Sequence, residues 1–168
     1  PMGSEMTKEI RSTLTGDGSI ELSIAWVEKP VPKEGEVLIR VEAAPINPSD
    51  LGLLISFAAD LDTVEITGSG DETVASIKIH EQFMRTITAR VGQSMPAGNE
   101  GSGVVEAAGE GATELVGNTV GVAGGGMYAG YRCLPAKNCL VMEAGTTPAQ
   151  AASSFVNPLT ALGFVETM

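Results

Sequence analysis

The sequence predicts a mainly β domain with a few helices, folded as a partly closed barrel or a sandwich. Three observations lead there. Short runs that alternate polar and apolar residues recur along most of the chain, the period of a strand with one buried face. Turn-forming glycine, 21 of the 168 residues, separates those runs. Hydrophobic residues make up 43% of the chain and aromatic ones only 4%, so aliphatic side chains must fill the core. The length suits one domain with a sizeable core and does not comfortably divide into two.

In chain order, residues 1–5, beginning Pro1-Met2-Gly3-Ser4, have the look of a cloning remnant, with Met6 the expected native start. Ser19 to Trp26 and Val37 to Ala43 alternate as strands, joined by a loop stiffened by Pro30 and Pro32. Ala44-Pro45-Ile46-Asn47-Pro48 ends the second strand, because each proline removes a ladder donor and bars its predecessor from the α region. Ser49 or Asp50 is placed to cap a short helix from Leu51. Asp62 to Thr67 and Thr73 to Ile79 read as strands about Gly68-Ser69-Gly70-Asp71. Ile79, Phe83, Met84, Ile87 and Val91 fall at helical spacing, so helix and strand compete between 79 and 91. His80, the single histidine, has no partner cluster in the sequence and reads as solvated.

Strands are expected again after Gly98, over Asn118 to Ala123, over Tyr128 to Leu134 and over Cys139 to Met142. Thr147-Pro148-Ala149-Gln150 is a capping-box pattern with proline in the first turn, opening a small-residue helix to Phe155. Asn157-Pro158 opens a second helix that reaches Met168 without a C-terminal glycine or a basic last turn, as if cut mid-element.

Charge and composition narrow the function. A net charge of −11 argues against nucleic acid, whose phosphates it would repel. No apolar run approaches the roughly 20 residues of a membrane span, and no leader pattern is present, so a soluble cytoplasmic protein is expected. Cys133 and Cys139 are the only cysteines, too few for a disulfide framework or a four-cysteine zinc site, and they point to a reducing compartment.

The most informative stretch is Gly98-Asn99-Glu100-Gly101-Ser102-Gly103, where glycines flank a lone carboxylate at a strand entrance. Such a stretch is either a tight turn or a loop that delivers Glu100 to a site. Gly124-Gly125-Gly126-Met127-Tyr128-Ala129 matches a dinucleotide fingerprint, but the segment after it alternates like a strand and lacks the helix that must hold a pyrophosphate. Serine hydrolase chemistry lacks its G-x-S-x-G elbow.

Asn47-Pro48-Ser49-Asp50, Gly98-x-Glu100-x-x-Gly103-x-Val105, Gly125 to Tyr131 and Asn157-Pro158-Leu159-Thr160-Ala161 stand in the order in which similar motifs occur in medium-chain dehydrogenase/reductases. The chain most resembles their zinc-independent quinone oxidoreductase and enoyl reductase branches, over about Ile10 to Ser56 and Met95 to Met168. The resemblance implies a GroES-like partly closed β-barrel: residues 6–156 as the substrate domain, and 157–168 as the start of a helix leading to a nucleotide-binding domain that this piece lacks. The segment 57–94 is longer than the family's usual loop and differently composed. Zinc-dependent members carry cysteine where Asn47 stands and histidine where Asn99 stands, so the resemblance implies no metal.

What else it implies concerns the complete protein. NAD(P)H would transfer hydride to a quinone, enone or similar small-molecule carbonyl, with no cofactor expected on this piece alone and no measurable nicotinamide oxidation by it. Asn47 and Thr160 would face the nicotinamide, and Asn47, Ser49 and Tyr128 are the catalytic candidates. Asp50 and Glu100 are expected to be structural at the cleft. Without the nucleotide-binding domain, the apolar face of the last helix, Leu159, Leu162, Phe164 and Val165, would lie uncovered, so self-association as a homo-oligomer is expected. Two alternatives stand: a non-enzymatic GroES-like interaction domain, and the substrate domain of an enoyl thioester reductase.

Overall fold

The computed structural model describes residues 5–166, with the side chains of Leu53 and of residues 163–166 excepted. The fold is mainly β, in two five-stranded antiparallel sheets that stay open rather than closing into one barrel. The first contains β1 (Met6–Leu14), β2 (Ser19–Glu28), β4 (Glu65–Thr67), β5 (Val74–Lys78) and β6 (Ser94–Pro96), in the order β4-β5-β2-β1-β6. The second contains β3 (Glu36–Ala43), β7 (Glu100–Ala108), β8 (Thr119–Ala123), β9 (Tyr131–Pro135) and β10 (Cys139–Val141), in the order β10-β8-β7-β3-β9. Three helices complete it: α1 (Pro48–Ile55), α2 (Pro148–Ala151) and α3 (Val156–Glu166).

The sheets are stitched together where β1 meets the chain before β9. The Ile10 N–H donates to the Tyr128 carbonyl at 2.8 Å, and the Gly130 N–H to the Lys8 carbonyl at 2.9 Å. Lys29, at the end of β2, adds a charged tie to Glu106 of β7 at 2.8 Å while its ammonium lies 4.1 Å from the Tyr131 ring centroid. These links give the partial closure that glycine-punctuated strands lead one to expect.

Each sheet has its own core. Val37 and Ile39 of β3, Val105 of β7 and Val120 and Val122 of β8 are fully buried with Met127 and Leu134. β7 can approach β3 there only because position 103 lacks a side chain: a Cβ on Gly103 would lie 2.0 Å from the Arg40 carbonyl oxygen. Leu14, Ile20, Ile79 and Ile87 form the second core with Phe57, Phe83 and Met84 against it. Phe57 and Phe83 meet edge-on with ring centroids 5.5 Å apart.

Three local outcomes differ from the periodicity. β1 is a full strand without an alternating signature, because its buried positions include Thr7 and Ser12 while Ile10 is exposed. Between 79 and 91 the chain forms neither a long helix nor a strand but two single 3-10 turns, Glu81–Phe83 and Thr88–Arg90. The spacing of Ile79, Phe83 and Ile87 still reports burial, since Ile79 and Ile87 enter the same core and Phe83 packs against it, although no continuous helix joins them. The expected Thr147 capping box forms, the Gln150 side chain accepting from the Thr147 N–H at 2.9 Å, but α2 stops after one turn. The reason lies at Phe155 and Val156, whose N–H groups point to a side chain of β7 and begin a new helix.

His80 is exposed, its Nδ1 accepting from the Gln82 N–H at 3.4 Å. Leu159 and Leu162 of α3 are exposed as well. Phe164 and Val165 lie outside the residues whose side chains are described.

Candidate active site

The side chain that stops α2 is Glu100. It begins β7 and is 1% exposed. Its Oε1 accepts from Asn47 Nδ2 at 2.9 Å. Its Oε2 accepts from the backbone N–H groups of Phe155 and Val156, both at 3.0 Å. One carboxylate thus joins a strand end, the N-cap of α1 and the N-terminus of α3, where unpaired amides and the helix dipole favour an acidic acceptor.

Asp50 makes a second buried brace beside it. Its Oδ2 accepts from the Asn47 N–H at 2.7 Å, the reciprocal half of a capping box at the start of α1. Its Oδ1 accepts from the Asn99 N–H at 2.8 Å, which fixes the loop before β7. The Asn47 amide nitrogen donates to Glu100, so this residue joins the start of α1 to β7. Glycine at 98 is required twice over, since its φ is +97° and a Cβ there would lie 2.8 Å from the Tyr128 ring.

Around these braces lie the groups that can meet a ligand. Asn99 Nδ2 donates to Ser49 Oγ at 3.0 Å, which leaves the exposed Ser49 hydroxyl proton to be donated elsewhere. Tyr128 donates its hydroxyl to the Pro45 carbonyl at 2.9 Å. Burial, reinforced by the nearby Asp50 carboxylate, pushes the Tyr128 phenol up to about 12, so it stays protonated at neutral pH. Thr160 stands apart on α3, exposed, with its hydroxyl donating to the Val156 carbonyl at 2.8 Å.

The structure therefore brings Asn47, Ser49, Asp50, Glu100 and Tyr128 together around the start of α1, and ties α3, with Thr160, to them through Glu100. Sequence reasoning missed Asn99 as the residue that orients Ser49, having seen in it only the lack of an imidazole. It also missed the Phe155 and Val156 amides, for which no side-chain signal exists. The glycines at 124–126 form a turn into β9, in which the Gly125 carbonyl accepts from Arg132 Nε at 2.9 Å. Among the described residues no group of three His, Cys, Asp or Glu side chains is placed to hold a metal ion. No described helix is long and apolar enough to cross a membrane.

A glutamate at a strand end, braced against the start of a helix after Asn-Pro and against a second helix near Asn-Pro, invites comparison with known families. Residues 33–144 match the model of the alcohol dehydrogenase GroES-like domain. The chain belongs to that family. As a GroES-like domain it is similar to a Mesorhizobium loti protein assigned as an NADPH:quinone reductase, at 26% identity and a TM-score of 0.62, over 96% of this chain and 44% of that one. A mycobacterial protein solved in complex with NADPH matches at 24% identity and a TM-score of 0.59, over 96% of this chain and 40% of that one.

The cobalt- and zinc-bound alcohol dehydrogenase of Pyrobaculum aerophilum shares the fold at 22% identity and a TM-score of 0.63, over 97% of this chain and 49% of that one. This GroES-like domain thus spans less than half the length of the solved structures it matches. No curated protein sequence matches the chain.

Proposed function

We propose that the complete protein is an NAD(P)H-dependent, zinc-independent oxidoreductase that reduces a quinone, enone or related conjugated carbonyl, and that this GroES-like domain forms the substrate side of its cleft. The observation that carries the reading is the Asn47–Glu100 pair. Positions 47 and 99 present amides, which are poor zinc ligands, and the Asn47 amide and both Glu100 oxygens already satisfy one another and α3. The activity assigned to the Mesorhizobium loti protein supports the substrate class, and the NADPH held by the mycobacterial one supports the cofactor.

The residues fit only one end of such a cofactor. Among the described residues no succession of strand, glycine-rich turn and helix offers the pyrophosphate a seat. At the nicotinamide end, the exposed Thr160 hydroxyl keeps an oxygen able to accept from the carboxamide, and Asn47 sets the distance between α1 and α3. When bound, NAD(P)H would supply the hydride at this end. Ser49, its oxygen held by Asn99 and its proton free to donate, stabilises the negative charge that develops on the substrate oxygen. Tyr128 assists by fixing the Pro45 turn that precedes Asn47.

A cytoplasmic homo-oligomer belongs to this reading, with the exposed Leu159 and Leu162 of α3 as part of the buried surface of the complete protein. The test is NADPH oxidation by the complete protein, with 1,4-benzoquinone and but-3-en-2-one as acceptors, before and after chelation. Activity undiminished by EDTA and lowered at least tenfold by Ser49→Ala is the expected result. Activity that appears only with added zinc, or with neither acceptor, would overturn the proposal.

A further inference from the structure

The paired faces of β1, β2 and β5 are filled at one end and open at the other. Register puts Leu14 opposite Ile20, and Ile20 opposite Ile77, in the buried end beside the aromatic cluster. Two residues further along, Ser12 faces Leu22, and Leu22 faces Ala75; two further still, Ile10 faces Ile24. Side chains alternate in direction along a strand, so all of these share one face of the sheet. Past Leu22 the aromatic cluster gives out and a cavity of about 270 Å³ opens.

Its floor is Ile10, Leu22, Ile24 and Ala75, and its opposite wall is Ile46, Leu54 and Tyr128. The surface is almost wholly apolar, yet Ile46 is 74% exposed and directly precedes Asn47. Tyr128 lies against Gly98, next to the Asn99 that orients Ser49. Through Ile46 and Tyr128 the cavity wall thus adjoins the two segments that carry the braced cluster, one leading into Asn47 and Ser49, the other packed on Gly98 before Asn99. Its volume falls just short of the roughly 300–1,000 Å³ that encloses a whole drug-sized ligand, which suits one apolar part of a molecule.

We infer that this cavity receives the hydrocarbon part of the substrate, an alkyl chain or aryl ring attached to the carbonyl that Ser49 engages, and that β5 sets its size. The inference rests on the proposed carbonyl substrate. It adds a role for the segment 57–94, because Ala75 and Thr73, which close one side, are both contributed by that segment. Small residues at 73 and 75 keep the space open where isoleucine at 77 and 79 fills it. Burial of an alkyl or aryl group there removes apolar surface from water on both sides, which favours substrates with such a substituent over compact ones.

The test uses this 168-residue chain with methyl-labelled isoleucine and leucine, titrated in NMR with propylbenzene and with 4-phenylbutan-2-one. Neither probe is a conjugated carbonyl, so neither result depends on turnover. Both are expected to shift the methyl signals of Ile10, Leu22, Ile24 and Ile46, and the ketone also the backbone amide signal of Asn99. Ala75→Leu, whose side chain enters the cavity, should weaken both at least tenfold, and Thr73→Leu serves if that variant does not fold.

Methyl shifts that follow protein concentration rather than probe, shifts elsewhere in the chain, no response of Asn99 to the ketone, or full binding by a folded Ala75→Leu variant would each overturn the inference. Propylbenzene binding in a protein that reduces no carbonyl would instead sink the proposed function, and carbonyl reduction without these methyl shifts would sink the cavity assignment alone.

Discussion

The two sheets use the same strand physics to opposite ends. Around β3, β7 and β8 the core is tightly filled: five β-branched residues are fully buried, Gly103 admits no side chain, and the buried polar groups Asp50 and Glu100 each satisfy donors from two or more segments. Around β1, β2 and β5 the interior is closed only as far as Leu14, Ile20 and Ile79, and beyond it small residues leave space. The first region holds positions and the second keeps room. A cleft wall needs both, because groups held within a fraction of an ångström are useful only beside a space that a ligand can enter.

Breaking the first region should be costly. Glu100→Ala leaves the Asn47 amide and two backbone N–H groups without their buried acceptor, and at about 1–3 kcal/mol for each orphaned group the loss should be about 3 kcal/mol or more. Urea denaturation measures it, and a loss below about 1 kcal/mol would show that water replaces the carboxylate. Gly103→Ala, with its Cβ driven onto the Arg40 carbonyl, should cost about 1–3 kcal/mol in the same assay.

Tyr128→Phe probes the boundary between the regions. Losing the hydrogen bond to Pro45 should cost about 0.5–1.5 kcal/mol at pH 7. Its pH dependence has a definite sign. The folded phenol, raised from 10.0 to about 12, contributes stability that is full below the unfolded value and is lost as pH climbs through the folded one. Wild type should therefore lose stability between these two values by an amount that Tyr128→Phe does not, and parallel alkaline melting curves for the two proteins would count against it.

The thiols give a milder contrast. Burial pushes Cys139 up to about 11 and raises Cys133 as well, so both should alkylate slowly with iodoacetamide at pH 8, and the rate should jump on unfolding. Least of all should come from Ile66→Lys on the fully exposed edge strand β4, within about 0.5 kcal/mol of wild type by denaturation. A larger loss there would mean that the open region is held more tightly than its packing suggests.

Much of this was legible in the residues because it is written in local rules. Proline at 45 and 48 ends β3 and starts α1, Thr147 and Gln150 make their capping box, and the glycines at 68 and 70 mark the turns between β4 and β5. The order of the four motifs was enough to name the family before any coordinates. β1 was not legible, because Ser12 is buried by strands paired on both sides of it, and Thr7 by its pairing with β2 and the close approach of Gly130, rather than by their own hydrophobicity. Asn99 as the partner of Ser49 was not legible either, because fifty residues separate the two and only the pairing of β7 with its neighbours brings them within 3.0 Å.

Periodicity, turn chemistry and motif order along the chain are enough for the class of the fold, the family and the residue types available to the proposed cleft. What those residues do for one another emerges once the chain is folded. Whether Glu100 acts as a free acid or a brace depends on donors contributed by residues 47, 155 and 156, and whether Ala75 is filler or the edge of a cavity depends on what stands across from it. Both are facts of distance between segments remote in sequence, and distance is what folding adds.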